Sequence, residues 1–164
     1  MIYKIKSKIL NTDSQRATIV DEKGKILYTV HRPPSIFSRE VLLDNVMYIY
    51  HGGSMKTAAK LDQKMLALFP KIQVFIENKF FGDFKLSMRG SIIKSKNGLY
   101  KANAKIFTPK AKILLDGNHI ANIKTSIFKI RHEYTVEMLT DDDPLPIFCL
   151  IMCENMLDAG SLEG

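Results

Sequence analysis

Thr140-Asp141-Asp142-Asp143-Pro144-Leu145-Pro146-Ile147-Phe148-Cys149-Leu150-Ile151-Met152-Cys153-Glu154-Asn155-Met156-Leu157-Asp158-Ala159-Gly160 is the stretch that decides how the rest of the chain folds. Three acids and a first-turn proline start a helix, and Gly160 is placed to end it, predicting a helix over about 144–159. From Ile147 to Leu157 its apolar residues leave almost no polar side, and a helix apolar all round belongs in a protein core or a bilayer. About 14 residues span about 21 Å, short of the roughly 30 Å hydrocarbon slab. The helix is therefore expected inside the protein's own core.

The segments before it read as what surrounds that helix. Tyr3, Ile5, Ser7 and Ile9 alternate with Lys4, Lys6 and Lys8, a half-buried strand with one lysine face. A hairpin unit then recurs five times: 18–20 with 26–30, 46–50 with 55–61, 72–76 with 80–86, 90–93 with 99–106, and 111–115 with 119–125. Asn97-Gly98 and Asp116-Gly117 between apolar runs are strong hairpin signals. With a first strand at 2–9 and a closing strand at 132–138, the sequence predicts about twelve antiparallel strands. Twelve short strands in one small domain favour closure into a barrel, and a barrel so wide cannot be filled by its own side chains. The terminal helix supplies the filling. The fold class is mainly β, a closed antiparallel barrel around a buried hydrophobic C-terminal helix. Residues 55–69, with Met55, Ala58, Ala59, Leu61, Met65 and Leu66, also fit a short helix.

At 164 residues the chain suits one domain, taken as 1–160, with 161–164 as a tail of the kind an expression vector appends. The lysine-interrupted N-terminus does not suit a signal peptide, and no run reaches transmembrane length. Cys149 and Cys153 stand four apart on one helix face, a placement that disfavours a disulfide between them. Reduced buried thiols suit a cytoplasmic protein. Charge is uneven. Residues 1–131 carry all 24 Lys and Arg against 9 acids, +15, while 132–164 carry 8 acids alone, −8, giving +7 in total. A polyanionic partner, or a basic body holding an acidic terminal segment, accounts for that asymmetry.

The hairpin series, and above all Arg131-His132-Glu133-Tyr134-Thr135-Val136-Glu137-Met138 running into Asp141-Asp142-Asp143 and Ile147–Met156, resembles the LURP-one-related proteins. These belong with the tubby C-terminal domain and the phospholipid scramblases. The resemblance implies a twelve-stranded barrel around a hydrophobic C-terminal helix. It also implies a partner at membranes, because tubby-like domains bind phosphoinositide headgroups through basic side chains. No lipid-binding residue transfers by position.

The candidate anion-binding residues are Lys4, Lys6, Lys8, Lys94, Lys96, Lys110 and Lys112, placed in rows about 7 Å apart along strand faces. Any single row also reads as a solvated face that blocks edge pairing. Nucleic acid competes as the polyanion, but 19 Lys against 5 Arg, with no Trp and no RNP, KH or zinc-finger signature, argues against sequence-specific reading. His51-Gly52-Gly53-Ser54 reads as a hairpin turn, since no nucleophile elbow accompanies it. His31, His51, His119 and His132 stand singly, and Asp141–Asp143 suit a helix cap better than a calcium loop. No cofactor, metal site or catalytic constellation is implied. Two functions remain: a non-enzymatic module that docks on anionic phospholipid headgroups, peripheral at the membrane, or a soluble protein-interaction barrel.

Overall fold

The computed structural model describes residues 1–8, 15–32, 44–64, 71–87, 90–106, 108–127 and 131–162. Twelve strands form a closed antiparallel ring. They are β1 (Ile2–Lys8), β2 (Gln15–Val20), β3 (Ile26–His31), β4 (Asp44–His51), β5 (Thr57–Lys64), β6 (Lys71–Ile76), β7 (Lys79–Ser87), β8 (Gly90–Ser95), β9 (Gly98–Ala102), β10 (Lys110–Leu115), β11 (Asn118–Ile127) and β12 (Arg131–Met138). Each strand pairs with its neighbour in sequence, and β1 closes the ring on β12 with Ile5 opposite Tyr134. The five hairpins fall where the turn signals place them, and residues 57–64 are strand rather than helix.

Turn chemistry fixes the hairpins locally. Asp116 (φ 49°) and Gly117 (φ 85°) form the two-residue link between β10 and β11, both left-handed as a type I′ turn requires. Glu77 (φ 50°) and Asn78 (φ 64°) do the same between β6 and β7 without a glycine. His51-Gly52-Gly53-Ser54 is a turn, its Ser54 N–H donating to the His51 carbonyl at 3.1 Å. Because the strands alternate in direction, all five hairpin tips lie at one end of the barrel. Met1 and the end of β12 lie there too, the Met138 N–H donating to the Met1 carbonyl at 2.9 Å.

From that end α1 (Leu145–Leu162) runs into the barrel. Pro144 caps it: its carbonyl accepts from Ile147 N–H at 3.0 Å and Phe148 N–H at 3.1 Å, while Asp143 Oδ1 accepts from Leu145 N–H at 3.0 Å. The acidic run thus ends one residue before the cap, and the first turn itself holds no acid. The helix also continues past Gly160 to Leu162, two residues into the segment read as a tail, so glycine there does not stop it. Ile147 to Cys153 are all buried against inward side chains from the strands, among them Ile5, Ile19, Val30, Ile49, Leu61, Phe84, Ile93, Ile113 and Tyr134. Phe148 anchors the near end, meeting Tyr3 edge-on at 5.4 Å and Tyr28 at 6.0 Å between ring centroids.

The far half of the helix is not wholly apolar. Glu154 is 2% exposed, and its carboxylate accepts from Ser91 Oγ at 3.1 Å and Ile106 N–H at 2.6 Å. Asn155 Nδ2 donates to the Tyr134 hydroxyl at 3.2 Å. These directional bonds fix the depth and rotation of an otherwise greasy cylinder.

Three outcomes follow for stability. Ile151→Asp, which buries an unpaired charge, abolishes the native state, seen as loss of the cooperative transition in thermal or urea unfolding. Glu154→Ala leaves the buried Ile106 N–H without this acceptor and costs about 1–3 kcal/mol in urea unfolding, while Ser91→Ala costs less. Burial pushes the Cys149 and Cys153 thiols well up, so both stay protonated and unreactive toward a thiol reagent at neutral pH until the barrel unfolds.

Candidate functional site

Strand alternation decides which lysines face outward. On β1, Tyr3, Ile5 and Ser7 are buried and Lys4 and Lys6 exposed; on β10, Ala111 and Ile113 are buried and Lys110 and Lys112 exposed. Register then assembles them across four neighbouring strands. One transverse row is Lys110, Lys124, Thr135 and Lys4, and the next is Lys112, Asn122, Glu137 and Ile2. Adjacent strands lie about 4.8 Å apart, so Lys124 and Lys4, two strands apart, are separated by roughly 10 Å at the backbone.

Between these rows the outer wall is concave. A groove of about 440 Å³ is lined by both rows except Lys4, together with Asn103 and the edges of Ala111 and Ile123. Asn103 closes one side where β9 diverges from β10, its Oδ1 accepting the Lys112 N–H at 2.7 Å. Three lysines and one carboxylate line the groove, a local +3 − 1 = +2. Glu137 sits at the Ile2 end, within 3.5 Å of Asn122 Nδ2, and leaves the Lys110–Lys124 end purely cationic.

The state of those lysines differs from that of the cross-strand lysines on β5 and β6. Lys64 of β5 and Lys71 of β6 are also cross-strand neighbours, but each has a carboxylate: Asp62 at 3.2 Å and Asp83 at 3.5 Å. Lys4 approaches Glu133 at 3.8 Å. Among the described residues no ion pair engages Lys110, Lys112 or Lys124. Lys110 and Lys124 stand directly opposite each other, a like-charge pair that destabilises the sheet by some tenths of a kcal/mol.

The seven lysines singled out in the sequence do not form one site. Lys110 and Lys112 line the groove, and Lys4 and Lys6 stand on the strand beside it. Lys8 faces Arg131 in the β1–β12 register, its side chain outside the described residues. Lys94 is on the outer face of β8 opposite Asp83, and Lys96 is in the β8–β9 turn, beyond β9 from the groove. Lys124 is the member that sequence reasoning misses. Counting back from the Asp116-Gly117 turn sets Ile123, not Lys124, opposite Lys110. A bulge intervenes: Ile113 pairs with Ala121 and Leu114 with His119, leaving Ile120 extra and shifting the phase of β11 by one.

Other chemistry is sparse. Among the described residues no group of three or more His, Cys, Asp or Glu is placed to hold a metal ion, and no helix is long and apolar enough to cross a membrane. His51 Nε2 meets Glu77 Oε1 at 3.1 Å in an exposed turn contact, and partial burial lowers the His132 pKa.

A closed antiparallel barrel around its own apolar helix is the architecture that the resemblance to the LURP-one-related proteins implied. The family profile described as LURP-one-related matches residues 1–154, and the chain belongs to that family. No curated protein and no solved structure matches it significantly.

Proposed function

We propose that this protein is a binding module rather than an enzyme, and that it docks on anionic phospholipid headgroups through the β10–β11–β12–β1 face. One observation carries the reading: Lys110, Lys112 and Lys124 line a groove and, among the described residues, have no carboxylate paired to them, two of them at a mutual repulsive cost. A phosphate seated between Lys110 and Lys124 would turn that cost into an attraction, with Asn122 and Thr135 as further polar partners. The barrel interior, filled by the helix, has no room for an acyl chain, so the contact lies at the outer wall. The resemblance to tubby-like domains, which bind phosphoinositides through basic side chains, supports the same chemistry.

Each lysine near an anionic leaflet contributes about 1 kcal/mol, and raising ionic strength from ~0.1 to ~1 M shortens the Debye length from ~10 to ~3 Å. Co-sedimentation with phosphatidylserine-containing vesicles at low salt, lost at high salt and absent with neutral vesicles, is the expected result. Changing Lys110, Lys112 and Lys124 together to Gln removes about 3 kcal/mol, on the order of 100-fold in partitioning. The melting temperature should hold or rise, since a repulsion is relieved. Unchanged sedimentation of that variant would refute the groove as the docking face, and no binding by the wild type would leave the soluble protein-interaction reading in its place.

A further inference from the structure

The hairpin-tip end of the barrel carries a second pattern. Among the described residues, Ile2, Ile26, Met55 and Phe80 are large apolar side chains exposed at this end. A single exposed apolar residue is ordinary; one on each of three neighbouring hairpin tips makes a continuous edge. Around the ring the rim runs from Ile2 at the β1 edge to Ile26 beyond the β2–β3 turn, Met55 in the β4–β5 turn and Phe80 beyond the β6–β7 turn. Met55 is 74% exposed and Ile26 50%.

Each of the three tips sets an exposed lysine next to its apolar residue: Lys25 before Ile26, Lys56 after Met55, Lys79 before Phe80. The acids there are already engaged. Asp21 Oδ1 accepts the Lys23 and Lys25 N–H groups at 2.9 Å, Glu22 Oε1 accepts the Ile2 N–H at 2.7 Å, and Glu77 faces His51. By contrast the β10–β11 tip, Asp116-Gly117-Asn118-His119, has neither a lysine nor an exposed large apolar side chain, and Asp116 stands exposed there. The apolar-and-basic tips thus form one arc of this end, and the β10–β11 tip lies across the ring from it.

We propose that this arc is a bilayer-insertion edge: Ile26, Met55 and Phe80 enter the interface of an anionic membrane while Lys25, Lys56 and Lys79 hold headgroup phosphates above them. Apolar side chains beside lysines, on tips roughly 10 Å apart, match the layering of an anionic lipid surface, apolar below and phosphate above. The β10–β11 tip, with Asp116 and no lysine, lies across the ring and offers that surface no matching charge. Ile2 joins the arc to the groove, since it lines the groove and stands beside the β2–β3 tip through its bond to Glu22. The inference rests on the membrane-docking reading above but concerns a different contact, apolar insertion.

The absence of tryptophan makes the test clean. Single reporters Ile26→Trp and Met55→Trp, each on an exposed side chain, are mixed with phosphatidylserine vesicles carrying brominated acyl chains; Ile127→Trp, exposed at the opposite end, is the control. Blue-shifted, bromine-quenched emission from the tip reporters and none from the control is expected. Should either tip reporter fail to fold, Phe80→Trp replaces it. Co-sedimentation with both tip reporters still in water overturns the insertion edge and leaves headgroup docking standing. No co-sedimentation at low salt overturns both.

Discussion

The whole structure depends on one mutual requirement between the ring of strands and the helix. Twelve strands enclose more space than their own inward side chains fill. An all-apolar helix has no stable existence in water. Each element removes the other's liability, so neither the barrel nor α1 is a unit by itself. Ile147 to Cys153 are buried without a break, which makes the helix surface rather than one stripe of it the protein's core. Glu154 then supplies what hydrophobic burial lacks, a preferred rotation and depth, through its bonds to Ser91 and Ile106.

That arrangement also dictates where function can lie. With the interior occupied, every side chain free to meet a partner is on the outer wall or at the ends. On the wall, the inward–outward alternation forced by the core sets Lys4, Lys6, Lys110 and Lys112 outside whether or not they serve a purpose. Among the described residues, what sets the groove lysines apart from the cross-strand lysines of β5 and β6 is the missing ion pair. The β5 and β6 lysines stand beside Asp62 and Asp83 at short range, and the groove lysines do not.

The fold was largely legible in the sequence because its two determinants are local. Period-two alternation between turn residues locates the hairpins, and the length and composition of 147–157 force the helix inward. The helix ends were less legible: Pro144 and Asp143 compete for the capping role over one residue, and Gly160 is tolerated where glycine more often terminates. Glu154 was hidden because a lone acid in an apolar run carries no mark of its partners, which lie 63 and 48 residues away. The groove was half legible. Its lysine rows on β1 and β10 follow from alternation, but Lys124 enters through a one-residue bulge at Ile120, a register event with no signature in the sequence. The tip rim escaped for another reason: Ile26, Met55 and Phe80 read as strand residues, and only ring closure shows that they share an edge.

The pairing of β1 with β12 has a consequence for how the protein comes into being. Ile2 must meet Glu137 across almost the full length of the barrel sequence, so ring closure is the most non-local event in the fold. The helix that fills the ring follows the twelfth strand in the chain. During synthesis from the N-terminus, eleven strands with sticky inward faces and an open edge at β1 precede both the strand that seals them and the helix that dries them. Commitment to the native state therefore waits for β12 and α1, and an emerging chain has to be kept from its neighbours until both arrive.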